Sequence, residues 1–351
     1  MRSAISARCL PDPLPNWPSK KDIFMKITRR TFHRSLLAAT LAAPLALSSI
    51  TALAQAWPTK PVRAIVPFGG GGNTDAAARI IGAKLSERWG QTVLVENRTG
   101  AEGNIGTEAA VKANPDGYTL YFGTNTLTIN RVMVPSPAFD PLKDLIPIAM
   151  VGETEFVLGV HPDVPVQSTT ELIAYAKQNP GKLRYGATSY QGVFATEQFN
   201  ALAGTRIERV PYRAMANVQV DLLAGRIEVF LTTPASVAQF INTGKLRALG
   251  VTSDKPLPGL PEVKPIGSAL PGLKVATWYG IFAPLRTPAD ILAKVNTDLR
   301  WAIEQPDVRV ALEKVGVSTR FGNPDDLKAQ MLRDVETVED LVRKGVMKIG
   351  S

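Results

Sequence analysis

From residue 57 onward, short apolar runs alternate with segments whose apolar residues return every three to four positions. The run at 62–66 predicts a buried strand. Four glycines, Gly69 to Gly72, follow it, and then 74–88 carries Ala77, Ile80, Ile81 and Leu85 at helical spacing until Gly90 stops the helix. Residues 92–96 predict a second strand, 97–103 a glycine-rich loop and 104–113 a short helix. Asn114-Pro115-Asp116-Gly117 has the residues of a turn, and 118–122 predicts a third strand running into Gly123-Thr124-Asn125-Thr126. The order βαβαβ predicts an α/β fold built on parallel strands.

A second series of the same kind begins at 156. Strands are predicted at 156–160, 183–186, 207–211, 227–231 and 246–251, with helices at 168–177, 193–203, 215–223 and 234–243. Ser168 with Glu171 three residues on reads as a capping box, and 188–192 reads as a loop. A proline-rich connection fills 256–271; a strand-like run, 278–283, comes next, followed by helices at 288–304 and 306–315. Asn323-Pro324-Asp325-Asp326 opens a last helix, with proline at its first position and acids facing the dipole. No repeat of solenoid period and no coiled-coil heptad is found.

The first 56 residues follow other rules. Arg29-Arg30 precedes an apolar run at 36–53 that closes on two overlapping small-x-small sites, Ala52-Leu53-Ala54 and Ala54-Gln55-Ala56. That is the layout of a secretory signal, with cleavage near Ala54 or Ala56, and the paired arginines resemble a twin-arginine signal. Pro44, Ser48 and Ser49 argue against a membrane anchor, and no cysteine follows to carry a lipid. Met25 is a natural start for this leader, so 1–24 reads as a non-native extension; peptide mapping of the precursor tests that. Residues 1–54 hold eight of the 40 Lys and Arg and two of the 31 Asp and Glu, so their removal lowers the net charge from +9 to about +3. Nothing in that balance argues for nucleic acid. The single cysteine, Cys9, leaves with the leader, which suits an oxidising compartment and excludes thiol chemistry.

Chemistry of turnover is hard to assemble from what is left. His161, in His161-Pro162-Asp163-Val164-Pro165, is the one histidine beyond the leader and reads as a loop residue. One histidine and no cysteine exclude the usual zinc sets, and no Gly-x-Ser-x-Gly elbow is available. The glycine run lacks the Lys-Ser/Thr of a phosphate-binding P-loop, and a dinucleotide fingerprint needs glycine where Thr74 stands. No catalytic residue, metal or cofactor is predicted.

Binding is better supported. In an open α/β sheet, ligands lie at the carboxyl ends of the strands, and the three loops there, 68–74, 97–104 and 123–126, are rich in Gly, Asn and Thr. Glycine lets backbone approach a ligand, and a helix starting just after such a loop adds free N–H groups and partial positive charge. This design holds an anion without Arg or Lys. Asp75 is expected to serve the helix dipole rather than the ligand, and Glu102, which would repel an anion, is expected to face water.

These residues resemble a known family. Trp57-Pro58-x-Lys60-Pro61-Val62, Val66-Pro67-Phe68-x-x-Gly71-Gly72-x-Thr74-Asp75 and Val95-Glu96-Asn97-Arg98-x-Gly100-Ala101-x-Gly103-Asn104-Ile105-Gly106 are similar to the opening of the Bug receptors, the solute receptors of tripartite tricarboxylate transporters. The likeness continues through Pro115-Asp116-Gly117-Tyr118-Thr119-Leu120, Asp140-Pro141-x-Lys143-Asp144, Val210-Pro211-Tyr212, Gly244-Lys245-Leu246-Arg247-Ala248-Leu249 and Trp278-Tyr279-Gly280-Ile281-x-Ala283-Pro284. The resemblance implies a type II-like periplasmic binding protein: two α/β domains, each a mixed sheet flanked by helices, closing like a flytrap on a small carboxylate. Domain 1 would take 57–155 and 278–351, and domain 2 would take 156–277. The ligand-facing residues implied are Phe68, Gly70, Gly71, Thr74, Gly123, Thr124, Asn125 and Thr126 from domain 1, and Ser189, Tyr190, Gln191, Tyr212, Arg213 and Thr232 from domain 2.

The chain departs from the family where Gly69 and Gly70 replace common prolines, where Tyr190-Gln191 replaces small residues in a shortened loop, and where Arg213-Ala214 replaces Lys-Gly. Arg213 could pair with a distal carboxylate or stand in solvent. The function implied is a monomeric periplasmic receptor that serves inner-membrane transporter subunits; a module presenting its ligand to a membrane sensor is the alternative, and an enzyme using cleft carboxylates is a third reading.

Overall fold

The computed structural model describes residues 57–135, 138–212, 215–257, 259–273 and 275–350. The extension at 1–24, the leader at 25–56 and Arg213 lie outside the described residues. In chain order the elements are β1 (Val62–Val66), α1 (Asn73–Trp89), β2 (Val93–Asn97), α2 (Asn104–Val111), β3 (Thr119–Thr124), α3 (Thr126–Met133), α4 (Pro141–Asp144) and β4 (Leu145–Glu155). There follow β5 (Val157–Val160), α5 (Thr169–Gln178), β6 (Arg184–Ala187), α6 (Tyr190–Ala203), β7 (Glu208–Pro211), α7 (Met215–Leu223), β8 (Val229–Thr232), α8 (Ala238–Asn242) and β9 (Arg247–Val251). The chain closes with β10 (Ala276–Pro284), α9 (Ala289–Glu304), α10 (Pro306–Lys314), β11 (Ser318–Gly322) and α11 (Pro324–Arg343).

Two mixed sheets result, ordered β11-β4-β10-β3-β1-β2 and β7-β6-β8-β5-β9. In the first, β1 lies parallel between β2 and β3, as the apolar runs predict, while β10 runs antiparallel to both β3 and β4. The central strands of each sheet are buried on both faces, which is why they read as nearly continuous apolar runs. On one face of the first sheet, Val62, Val66 and Leu120 meet Ala77, Ile81 and Leu85 of α1 and Val295 and Leu299 of α9. On the other, Ile65 and Tyr121 meet Ala110 of α2 and Leu327 and Met331 of α11. The second sheet packs Leu158 and Leu231 against Leu172 of α5 and Phe199 of α6, and Val157 and Phe230 against Val218 and Leu222 of α7. This is the two-domain α/β binding-protein fold, each sheet centring one lobe.

The lobes are tied by more than their linkers. The chain passes from β4 to β5 through Phe156 alone and returns between β9 and β10. At the crossing, Phe156 N–H donates to Thr252 Oγ1 at 2.7 Å and Thr252 N–H donates back to the Phe156 carbonyl at 2.9 Å. Two helices of the first lobe also reach the second. Ile129 and Met133 of α3, with Val338 and Leu341 from the far end of α11, belong to the same buried cluster as Tyr185 and Phe199. α11 therefore supports the first sheet with its N-terminal half and the second with its C-terminal half.

Local signals account for several boundaries. Asn323 and Asp326 form the reciprocal cap of α11, with both bonds at 2.9 Å. Ser168 caps α5 by accepting from Glu171 N–H, while the Glu171 carboxylate turns to Gln167 N–H at 2.7 Å instead of closing the box on Ser168. Four elements have no sequence counterpart above: α3, α4, β4 and β11. β4 merges into β5 with no turn residue between them, and Pro147 interrupts its pattern; the proline is accommodated where the β4–β10 register shifts. The helix expected at 234–243 splits into a 3-10 turn and a five-residue α8, because Val237 adopts φ −133°.

Candidate functional site

Three loops at the carboxyl ends of β1, β2 and β3 meet the start of α6 from the other lobe. Between them lies a cleft of about 330 Å³ lined by Pro67, Phe68, Gly69, Thr99, Gly100, Glu102, Gly103, Thr126, Ser189 and Gln191. Thr126 opens α3, and Gly103 is the N-cap of α2; neither that helix nor α1 nor α3 has a side-chain cap at its N-terminus. The positive ends of three helix dipoles thus gather at one edge of the first sheet, an arrangement that favours an anion.

Asp75 organises the first loop. Its Oδ2 accepts from Gly71 N–H at 2.9 Å, its Oδ1 accepts from Asn97 Nδ2 at 2.9 Å, and Arg79 Nε donates to both oxygens at 3.1 and 3.0 Å. Asn97 Nδ2 also donates to the Phe68 carbonyl at 3.0 Å, so the network spans the loop and the end of β2. The Arg79 bond above all, aided by Gly71 and Asn97 and opposed by burial, lowers the Asp75 carboxyl from 3.8 to about 2. The sequence leads one to expect Asp75 to serve the helix dipole; its place in the first turn of α1 instead lets it bind the loop, and it engages the Gly71 N–H that sequence reasoning offered to a ligand. Gly71 itself sits at φ 87°, a conformation that suits glycine.

The second loop is wound the wrong way for ordinary residues. Gly100, Ala101, Glu102 and Gly103 take φ of 121°, 48°, 56° and 93° in succession. α2 holds this turn close because Gly106 has no side chain: a Cβ there would stand 2.7 Å from the Arg98 carbonyl and 2.8 Å from Pro67 Cα. Asn130 of α3, which sequence reasoning missed, pins it from below, donating through Nδ2 to the Glu102 carbonyl at 2.8 Å and to Asn104 Oδ1 at 3.1 Å. Glu102 is exposed to solvent, as expected, but it also lines the cleft rather than turning away, because the left-handed turn swings it to the opening. Burial by the walls raises its carboxyl above the ordinary range.

Of the residues predicted to face a ligand, Phe68, Thr126, Ser189 and Gln191 line the cleft together. Gly70 stands beside the Asp75–Asn97 network, and Thr74 lies in the first turn of α1. Gly123 and Thr124 prove to be the last residues of β3 rather than loop, and a Cβ on Gly123 would stand 2.5 Å from the Tyr121 ring. Thr124 Oγ1 accepts from Thr126 N–H at 3.3 Å, so it orients Thr126. Asn125 is buried and donates to the Ala276 carbonyl at 3.1 Å. In the second lobe the expected loop at 188–192 is shorter than predicted: α6 begins at Tyr190, with Ser189 Oγ accepting from Gly192 N–H at 3.4 Å as its cap. Gln191 Nε2 reaches across to Thr277 Oγ1 on β10. Tyr190 packs on the core of its lobe, Tyr212 donates to Asp221 Oδ2 at 2.6 Å, and Thr232 ends β8. His161, placed in a loop by the sequence, accepts there from Asp163 N–H at 3.3 Å.

The fold and the cleft define a class, the two-lobed solute-binding proteins. A family profile described as "Tripartite tricarboxylate transporter family receptor" matches residues 77–345, and the chain belongs to that family. Protein BugT of Bordetella pertussis is 31% identical over 303 residues, covering 84% of this chain and 92% of its own. Among solved structures, R. palustris Rpa4515 with adipate is 33% identical at a TM-score of 0.71, covering 82% of this chain and 97% of its own. MatC from Rhodopseudomonas palustris with bound malate is 28% identical at a TM-score of 0.68, covering 82% and 100%.

Proposed function

We propose that this chain is a periplasmic receptor that captures a small carboxylate in the cleft between its lobes and delivers it to the membrane subunits of a tripartite tricarboxylate-type transporter. The observation that carries the reading is that the N-termini of α2 and α3 and the glycine loop leading to α1 line one cleft, with Ser189 and Gln191 facing them from the second lobe. A carboxylate bound there would draw on the loop backbone and the positive helix ends, at no cost in buried cations. The adipate and malate complexes of the relatives support carboxylate as the ligand class. The domains are 57–155 with 278–351, and 156–277, hinged at Phe156 and at the return to β10, and closure brings α6 onto the loops of the first lobe. Nothing in this scheme requires turnover.

A thermal-shift screen against mono-, di- and tricarboxylates, amino acids and aromatic acids tests the reading. A ligand at about 100 times its Kd stabilises the folded protein by about 2.7 kcal/mol, which moves the melting point visibly. A shift confined to carboxylates supports the receptor; no shift with any of them, in protein stripped of bound ligand, refutes it.

A further inference from the structure

The cleft differs in one respect from a simple anion trap. Among its described lining residues, Glu102 alone carries a charge, and its sign is that of the carboxylate to be bound. No ion pair neutralises it among the described residues. Nor is its position incidental. Glu102 holds φ 56° and ψ 28°, a left-handed conformation that costs a side chain of this kind free energy, and Asn130 fixes its carbonyl from a buried position. The other polar side chains of the lining, Thr99, Thr126, Ser189 and Gln191, are neutral. A dicarboxylate would therefore place its second charge in a cleft that offers a carboxylate and no described cation.

Resting on the receptor reading above, we propose that Glu102 is a specificity-determining residue: it selects a carboxylate that also carries an ammonium or another proton-donating group, and rejects dicarboxylates. The helix N-termini take the carboxylate, and Glu102 accepts from the donor. Discrimination comes from both arms, an attraction for the donor and a repulsion of the second carboxylate. The turn fixes the backbone from which Glu102 projects at the cleft, through the Asn130 bond to its carbonyl.

Matched four- and six-carbon sets separate the terms: butyrate, succinate, 4-aminobutyrate and 2-aminobutyrate, then hexanoate, adipate, 6-aminohexanoate and 2-aminohexanoate. Each is titrated calorimetrically into the protein and into Glu102→Gln, which keeps the size and backbone of the side chain. The unaltered protein is expected to bind an amino member about tenfold or more tighter than the dicarboxylate of equal length, a difference of about 1.4 kcal/mol. In Glu102→Gln that margin collapses, the amino member weakening and the dicarboxylate tightening relative to the plain monocarboxylate of equal length. A preference for the dicarboxylate, or a margin unchanged by the substitution, overturns the role of Glu102 and leaves the receptor intact. Failure of every compound to bind either protein removes the carboxylate reading itself, and this inference with it.

Discussion

Replacing Asp75 by asparagine removes the charge that organises the first loop and leaves the side chain's shape. The folded carboxyl ionises at about 2 against 3.8 for an unperturbed one, and at 1.36 kcal/mol per unit that difference is worth about 2 kcal/mol. Its origin is visible: one buried carboxylate receives Gly71 N–H, Asn97 Nδ2 and the Arg79 guanidinium. The folded group binds its proton more weakly than the unfolded one, so its contribution is complete above about pH 4 and is lost as the pH falls through about 2. Urea denaturation of both proteins at pH 7, and again stepwise toward pH 2, reads this directly. Asp75→Asn should be less stable by about 2 kcal/mol at pH 7, with the gap narrowing as the pH approaches 2. Equal stability at pH 7, or a gap that does not narrow in acid, refutes the account of the network.

Other substitutions probe the loops around it. Gly106→Ala forces a methyl against the Arg98 carbonyl and Pro67, and should cost about 1–3 kcal/mol in urea denaturation while weakening ligand binding. Asn130→Ala strands the Glu102 carbonyl and should cost about 1–2 kcal/mol and raise hydrogen exchange at 100–104; unchanged exchange would mean the turn holds itself. Thr126→Val should weaken carboxylate binding about tenfold by calorimetry with little change in melting point, since Thr126 lines the cleft and its backbone stays bonded to Thr124.

Much of this architecture is legible in the chain. The parallel β1–β2–β3 unit follows from three apolar runs separated by helical periodicity, and the capping signal at Asn323 marks its helix to the residue. The cleft loops announce themselves as Gly-, Asn- and Thr-rich segments after strands. What local pattern does not show is long-range. β4 lies between β11 and β10 in the first sheet, yet its sequence carries a proline and no boundary before β5. Asn130 looks like an ordinary helix residue until α3 is set beneath the 100–103 turn. The inward side of Glu102 depends on four consecutive positive φ angles, and only the two flanking glycines hint at them. Likewise, the early start of α6 rests on Ser189 acting as a cap, which converts three expected loop residues into a helical turn.

The central claim is that a carboxylate binds between the lobes, on the helix N-termini of the first and under the start of α6. A crystal structure of the protein with the carboxylate that gives the largest thermal shift tests it most directly. The account predicts the carboxylate among residues 67–72, 99–103 and 126, its oxygens accepting backbone N–H groups, with Ser189 or Gln191 closing over it. A ligand seated elsewhere, such as the depression lined by Arg131, Phe139 and Asp140, or one held in the cleft without backbone N–H contacts, would contradict it.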